Sequence, residues 1–348
     1  MEITSLFRLA AKEKASDLLI TTGVPAVLRI GGRLMDTSTP VLTAKDTREL
    51  VYAALRPDQI AKFEKAKELD FSIYVRDVGR FRGNAFLQRG AVGAAFRRIA
   101  DEVPDLQSLN LPPMLEDFAL AAQGLVLICG PTGHGKSTTL AAMIDRINQK
   151  QRRHIVTVED PIEYLHKNKN SIIEQREVGD DTLSFAAALK HVLRQDPDVV
   201  LIGELRDLET IQAGLTAAET GHLVLGTLHT NDCVQSIDRL LDVFPPHQQG
   251  QIRTQLSLSL NAVIGQRLLP QITGEGVVAA VEILVGSPGV RNLIREGKTH
   301  QIYSLMETHA KEGMVTMDTA LKELYLQGEI AYQEAARRMR SPQSLPRG

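Results

Sequence analysis

At 348 residues the chain is long enough for two ordinary domains at roughly 150 residues each, and an apolar fraction of 43% supplies a core for both. A formal charge of −2 gives no global attraction to nucleic acid or to an anionic membrane. No apolar run reaches the ~18 residues of a membrane span, and charges at Arg8, Lys12 and Asp17 interrupt any signal-peptide core, so a soluble chain with no direct membrane insertion is expected.

Ile3, Leu6, Phe7 and Ala10 fall at helical spacing. Leu18 to Ile20, Val27 to Ile30 and Phe71 to Val75 read as short strands, with turns at Gly23-Val24-Pro25 and Gly31-Gly32. Gly79 to Phe86 and Val92 to Ile99 add a strand pair, so residues 1–103 read as an α+β first domain. Pro104, Pro112 and Pro113 break regular structure and mark 104–114 as a linker. From 115 to 348 the apolar strands Leu125–Cys129, His154–Val158, Val199–Ile202 and Leu223–Leu228 alternate with helical stretches at Ser137–Gln149 and Leu183–Arg194. Continuous apolar strands between helices imply a buried, largely parallel α/β sheet. Beyond residue 245 the signal turns helical, with stripes at Val290, Leu293, Ile294 and at Met317, Leu321, Leu324, Tyr325. The tail from Ser341 reads as disordered.

The two cysteines, Cys129 and Cys233, are distant and form no Cys-x-x-Cys pair. That argues against a disulfide framework or a zinc site and suits a reducing cytoplasm.

Gly130-Pro131-Thr132-Gly133-His134-Gly135-Lys136-Ser137 matches G-x-x-x-x-G-K-[ST] between an apolar strand and a helix, the context that gives the motif its meaning. Gly133 and Gly135 let main-chain N–H groups turn inward, and the helix that carries Thr138 presents its positive end. Lys136 adds a charge for the β/γ oxygens of ATP, and Ser137 supplies an oxygen ligand for Mg²⁺. In Asp198-Val199-Val200-Leu201-Ile202-Gly203-Glu204 the position just after the apolar run is glycine, so Glu204 is the candidate general base that orients the attacking water. Because Gly203 brings no carboxylate to the metal, the acidic segment Val158-Glu159-Asp160-Pro161-Ile162-Glu163 is the alternative source. Glu159 and Glu163 are its preferred pair, Glu163 also counting among the catalytic candidates. His229, just after the strand Leu223–Leu228, is placed to sense the γ-phosphate, whereas His222 before it is as readily structural. Arg80 and Arg82 share a face of one first-domain strand with Arg97 and Arg98 on its partner. Arg82 and Arg97 are the candidates for an arginine finger donated across a subunit interface.

These residues resemble the secretion ATPases of type II secretion and type IV pili, over nearly the whole chain. The likeness rests on Ser16-Asp17-Leu18, the phosphate loop, the acidic segment 156–164, Gly203-Glu204-Leu205-Arg206-Asp207, residues 221–230 and Val290-Arg291-Asn292-Leu293-Ile294-Arg295-Glu296. It implies a PAS-like N-terminal domain joined to a RecA-like ATPase domain with a helical C-terminal part, assembled as a homohexamer. It makes Glu204 the catalytic glutamate. The 290–296 segment and the lack of a four-cysteine insertion imply the retraction branch, which works in the cytoplasm against an inner-membrane pilus platform protein. His134 departs from the serine usual in that loop position. The rivals are an assembly or secretion ATPase of the same family, a RecA-like nucleic-acid motor and a nucleotide-gated binding module; neutral charge disfavours a nucleic-acid partner.

Overall fold

The structure, a computed structural model, describes residues 1–99 and 102–346; positions 100–101, in the expected first domain, and 347–348, in the expected disordered tail, lie outside the described residues. The chain divides into two compact units, one of Met1–Glu102 with Glu163–Leu165 and one of Val103–Ile162 with His166–Gly348.

The first unit runs α1 (Ile3–Lys12), β1 (Asp17–Ile20), β2 (Val27–Ile30), β3 (Arg33–Asp36), α2 (Ala44–Ala53), α3 (Pro57–Ala66), β4 (Glu68–Val75), β5 (Gly79–Gln88) and β6 (Ala91–Arg98). Its strands form one antiparallel sheet in the order β3-β2-β1-β6-β5-β4. Successive side chains of a strand point to opposite faces. Phe81 and Phe96 therefore turn inward onto Phe7 of α1, with ring centroids 4.5 and 5.0 Å away, while the next residues in sequence, Arg82 and Arg97, emerge on the other face. Strand β3 is exposed along its whole length, so it carries no alternation for a sequence reading to find.

The second unit runs α4 (Met114–Ala119), β7 (Gly124–Cys129), α5 (Lys136–Lys150), β8 (His154–Glu159), β9 (Ile172–Glu177), α6 (Phe185–Val192), β10 (Val199–Ile202), α7 (Leu208–Glu219), β11 (Leu223–Leu228), α8 (Cys233–Asp242), α9 (Pro246–Ser259), β12 (Leu260–Pro270), β13 (Val277–Val285), α10 (Pro288–Arg295), α11 (Ile302–Thr308), α12 (Met317–Leu326) and α13 (Tyr332–Ala336). The sheet order is β13-β12-β7-β11-β10-β8-β9; only the β12–β13 pair is antiparallel. Both faces are covered. Leu125, Leu127 and Cys129 of β7 join α6 to α9 in one buried cluster, and Val126 and Ile128 join α4 and α5 in another. Burial on both sides is why these strands are continuously apolar instead of alternating. Asp207, Asp232, Ser287 and Thr316 each accept a main-chain N–H at the start of a helix, satisfying donors that a helix leaves orphaned.

Two expectations are corrected. The chain beyond residue 245 is not simply helical: β12 and β13 form a long hairpin, 11 and 9 residues, between α9 and α10. Its two strands are largely buried but carry Asn261, Gln266, Arg267 and Glu282 among their apolar residues, so they show neither a clean alternation nor an unbroken apolar run. The tail is held as far as residue 346: Leu345 is buried with Leu321 and Ile330, and Asp318 accepts the N–H groups of Arg340 and Ser341 at 2.8 Å each. Among the described residues no helix is long and apolar enough to cross a membrane.

Candidate nucleotide-binding site

The parallel strands of the second unit deliver their following residues to one edge of the sheet, the edge where doubly wound folds bind ligands. Gly130 follows β7, Gly203-Glu204 follows β10, His229 follows β11 and Glu159 ends β8. In the loop, Gly130, Gly133 and Gly135 have φ of 147°, 80° and 79°, conformations that residues with a Cβ rarely adopt. At Gly130 a Cβ would also run into the carbonyl oxygen of Gln266. Lys136, 7% exposed, opens α5 with Ser137 and Thr138 in the same first turn. Its Nζ donates to the carbonyls of Gly130 and Pro131 at 2.8 and 2.9 Å. These contacts hold the ammonium at the mouth of the loop.

His229 links the loop to the acid. Its Nδ1 lies 3.4 Å from both Thr132 Oγ1 and Lys136 Nζ, and its Nε2 lies 3.8 Å from Glu204 Oε1. With Nδ1 accepting from these donors, the fitting tautomer carries its proton on Nε2, facing the carboxylate. Glu204 stands two strands from the P-loop strand, since β11 lies between β7 and β10. Gly203 is there for a packing reason: its N–H donates to Val158 O at 2.8 Å, and a Cβ would sit 3.3 Å from the Cα of Glu159. Glu159 is oriented through Oε1, which accepts from Thr157 Oγ1 at 2.6 Å and from Gln175 Nε2 at 3.1 Å.

The remaining candidates belong to other parts of the chain. Arg82 and Arg97 face each other across the β5–β6 ladder of the first unit, and Arg97 Nε is 2.9 Å from Asp17 Oδ1. Glu163 also groups with the first unit. His222 Nδ1 is 2.9 Å from the carbonyl of Ala217 at the end of α7, a structural contact. Among the described residues no three His, Cys, Asp or Glu side chains converge as a metal cage. The donor set, one helix-start hydroxyl at Ser137 and carboxylates at neighbouring strand ends, fits Mg²⁺, which takes few protein oxygens and completes its shell with phosphates and water.

Sequence reasoning missed what lies beneath the loop. Gln266 of β12, 3% exposed, accepts the Thr139 hydroxyl at 2.7 Å and donates through Nε2 to the carbonyl of His134 at 2.9 Å. The N–H of Leu268 donates to His134 Nδ1 at 2.9 Å. Burial, and then the charges of Arg267, Lys136 and Arg338, hold this imidazole below its usual value and keep it neutral, as an acceptor must be. The signal was the run Ala262 to Pro270 followed by Gly274-Glu275-Gly276 and a second apolar run, a hairpin pattern. Cys129 ends β7 just under the loop, and the Cys233 thiol donates to the carbonyl of Val263 at 3.2 Å; both cysteines are fully buried. Burial pushes the Cys233 thiol up.

Residues 103–337 match the family described as Type II/IV secretion system protein. The chain belongs to that family. A family member from Pseudomonas aeruginosa, the "Type IV pilus retractation ATPase PilT", is 46% identical over 99% of this chain and 100% of its own length. The "Type IV pilus ATPase PilU" of the same organism is 45% identical over 96% of this chain and 88% of its own. A crystal structure of the pilus retraction motor PilT with bound ADP superposes with a TM-score of 0.92 at 47% identity, covering 99% of both chains. The family's segment at 290–296 is largely packing in this fold: Val290 and Ile294 are fully buried, and the Arg291 guanidinium donates to the carbonyls of Gly286, Leu258 and Leu260 at 2.7 to 3.1 Å.

Proposed function

We propose that this chain hydrolyses ATP and, as a ring of identical subunits, uses the energy to retract a type IV pilus. The observation that carries the chemistry is the chain Glu204–His229–Lys136 across the mouth of the phosphate loop. The inward N–H groups of residues 132–136 and the Lys136 ammonium bind the β- and γ-phosphates. Glu204 orients and deprotonates the attacking water, the step in which a positioned carboxylate supplies its rate advantage. His229 holds Glu204 in register with the γ-phosphate and reports its presence. Mg²⁺, when bound, neutralises phosphate charge; Ser137 with Glu159 would hold it. Arg82 and Arg97, exposed side by side, are the cations offered to a neighbouring subunit's site. The pilus assignment rests on likeness along the entire chain to proteins named for retraction, and on the chain having two cysteines, too few for a four-cysteine insertion. The platform protein at the inner membrane is the expected partner, which sets the chain on the cytoplasmic side.

The near-equal identity to the PilU-named relative supports a second reading, an accessory member of the same retraction machine. Glu204→Gln tests the chemistry: ATP turnover is expected to fall by about 100-fold or more while nucleotide binding persists. Wild-type turnover in that variant rejects the assignment. In cells, deletion of the gene is expected to leave pili extended and twitching lost. Pili that still retract at the normal rate point to the accessory reading, and cells without pili point to an assembly ATPase.

A further inference from the structure

Strand β12 outruns its neighbour. Its parallel pairing with β7 ends where Gly265 stands opposite Cys129, and the next three residues continue beside the phosphate loop instead of beside a strand. Gln266 thereby meets the loop at both ends. Its main-chain carbonyl occupies the space a side chain would need at Gly130, its Nε2 donates to the carbonyl of His134 and its Oε1 accepts from Thr139, five residues on in α5. Leu268 adds a fourth tie through the His134 ring. A buried primary amide whose two ends bridge two elements is a rigid spacer, because breaking either bond strands a polar group away from water.

We propose that Gln266 is a positioning residue for nucleotide, holding the loop between Gly130 and Thr139 in the arrangement whose N–H groups receive phosphate. His134 completes the strap: its neutral ring accepts from Leu268 where a shorter side chain would leave that N–H unmet. The inference rests on the nucleotide-site reading above. Gln266 makes no hydrogen bond to Glu204 or His229 among the described residues, so its effect falls on binding and not on the chemical step. The strap has a firm anchor, because the same strand continues to Leu269, which is fully buried with Leu321 and Ala335 of the C-terminal helices and with Ile330 between them.

Gln266→Met keeps the length and volume and removes both amide contacts, and Thr139→Val removes one hydroxyl at constant shape. Each full-length variant is compared with wild type for equilibrium binding of a fluorescent ADP analogue, for steady-state ATPase kinetics and for melting temperature without nucleotide. Gln266→Met is expected to weaken analogue binding and raise the KM for ATP by about 10-fold, with kcat changed less than about 3-fold; Thr139→Val moves the same quantities less. A purely structural role predicts instead a lowered melting temperature with KM and analogue affinity unchanged in the folded fraction, and that result overturns the proposal. A fall in kcat at constant KM overturns it as well. Should Gln266→Met not fold, the isosteric Thr139→Val decides by the same criteria. Failure of the wild type itself to bind the analogue overturns the nucleotide-site reading and this one together, whereas normal wild-type binding with unaltered variants overturns this one alone.

Discussion

Acidification probes the packing between β8 and β9 through His166. This imidazole is largely buried, its Nδ1 has no hydrogen-bond partner among the described residues, and beside it stand Asp145 and Lys169, themselves paired at 2.6 Å. Burial is the main cause that holds it at about 4 against an ordinary 6.5; the Asp145 carboxylate pulls the other way and the Lys169 ammonium adds to burial. The folded chain therefore refuses a proton that the unfolded chain accepts. Stability from this group is intact above the unfolded value and is lost as the pH falls from 6.5 toward 4, levelling off below. A gap of about 2.5 pH units at ~1.4 kcal/mol each gives a loss of about 3 kcal/mol. The assay is urea denaturation followed by circular dichroism at about pH 7 and about pH 4.5, for wild type and His166→Gln. Carboxylates titrating in the same range act on both proteins, so the difference between them isolates the imidazole. The wild type is expected to lose about 2 kcal/mol more than the variant over that interval. Parallel losses in the two proteins refute the reasoning.

Gly130→Ala is expected to abolish nucleotide binding, because the new methyl group meets the Gln266 carbonyl at a φ of 147° and the loop must move; binding of ADP with wild-type affinity, measured by calorimetry, contradicts this. Replacing Arg82 and Arg97 together by alanine is expected to lower the ATPase rate of the assembled ring by about 10³-fold, the lower end of arginine-finger effects, while leaving the melting temperature within a few degrees. An unaltered rate removes these residues from the site. Asp17→Asn keeps the size of a largely buried side chain but takes away the carboxylate shared by Arg97 and Arg29; with both guanidiniums open to solvent, stability is expected to fall by about 1 kcal/mol, checked by denaturant midpoint.

Legibility in the sequence followed the physics of each element. The phosphate loop could be read at once because glycine positions, lysine and serine answer local demands: positive φ, a charge and a helix start. Strands β7, β8, β10 and β11 were equally plain, since burial on both faces writes an uninterrupted apolar run. Strand β9 was not, because it lies at the sheet edge with Glu174 exposed and Gln175 and Arg176 only partly buried, and its sequence shows neither alternation nor an apolar run. The β12–β13 hairpin hid because Asn261, Gln266 and Arg267 interrupt one strand and Glu282 the other, leaving neither an unbroken apolar run nor a clean alternation. Gln266 was beyond reach for a further cause: a glutamine acquires meaning only from the carbonyl and hydroxyl set before it by residues more than a hundred positions away. Glu204 and His229 were found by their place after buried strands, but their spacing of 3.8 Å depended on the sheet order, which no local pattern encodes.

Cys129 and Cys233 give the molecule a built-in clock. With both sulfurs sealed beneath the loop, a water-soluble thiol reagent can reach them only when that part of the core swings open, so the rate of labelling measures how often it does so. A ligand gripping residues 130–137 should slow the reaction in proportion to its occupancy, and the two natural cysteines would then record the state of the site with no probe added to the chain.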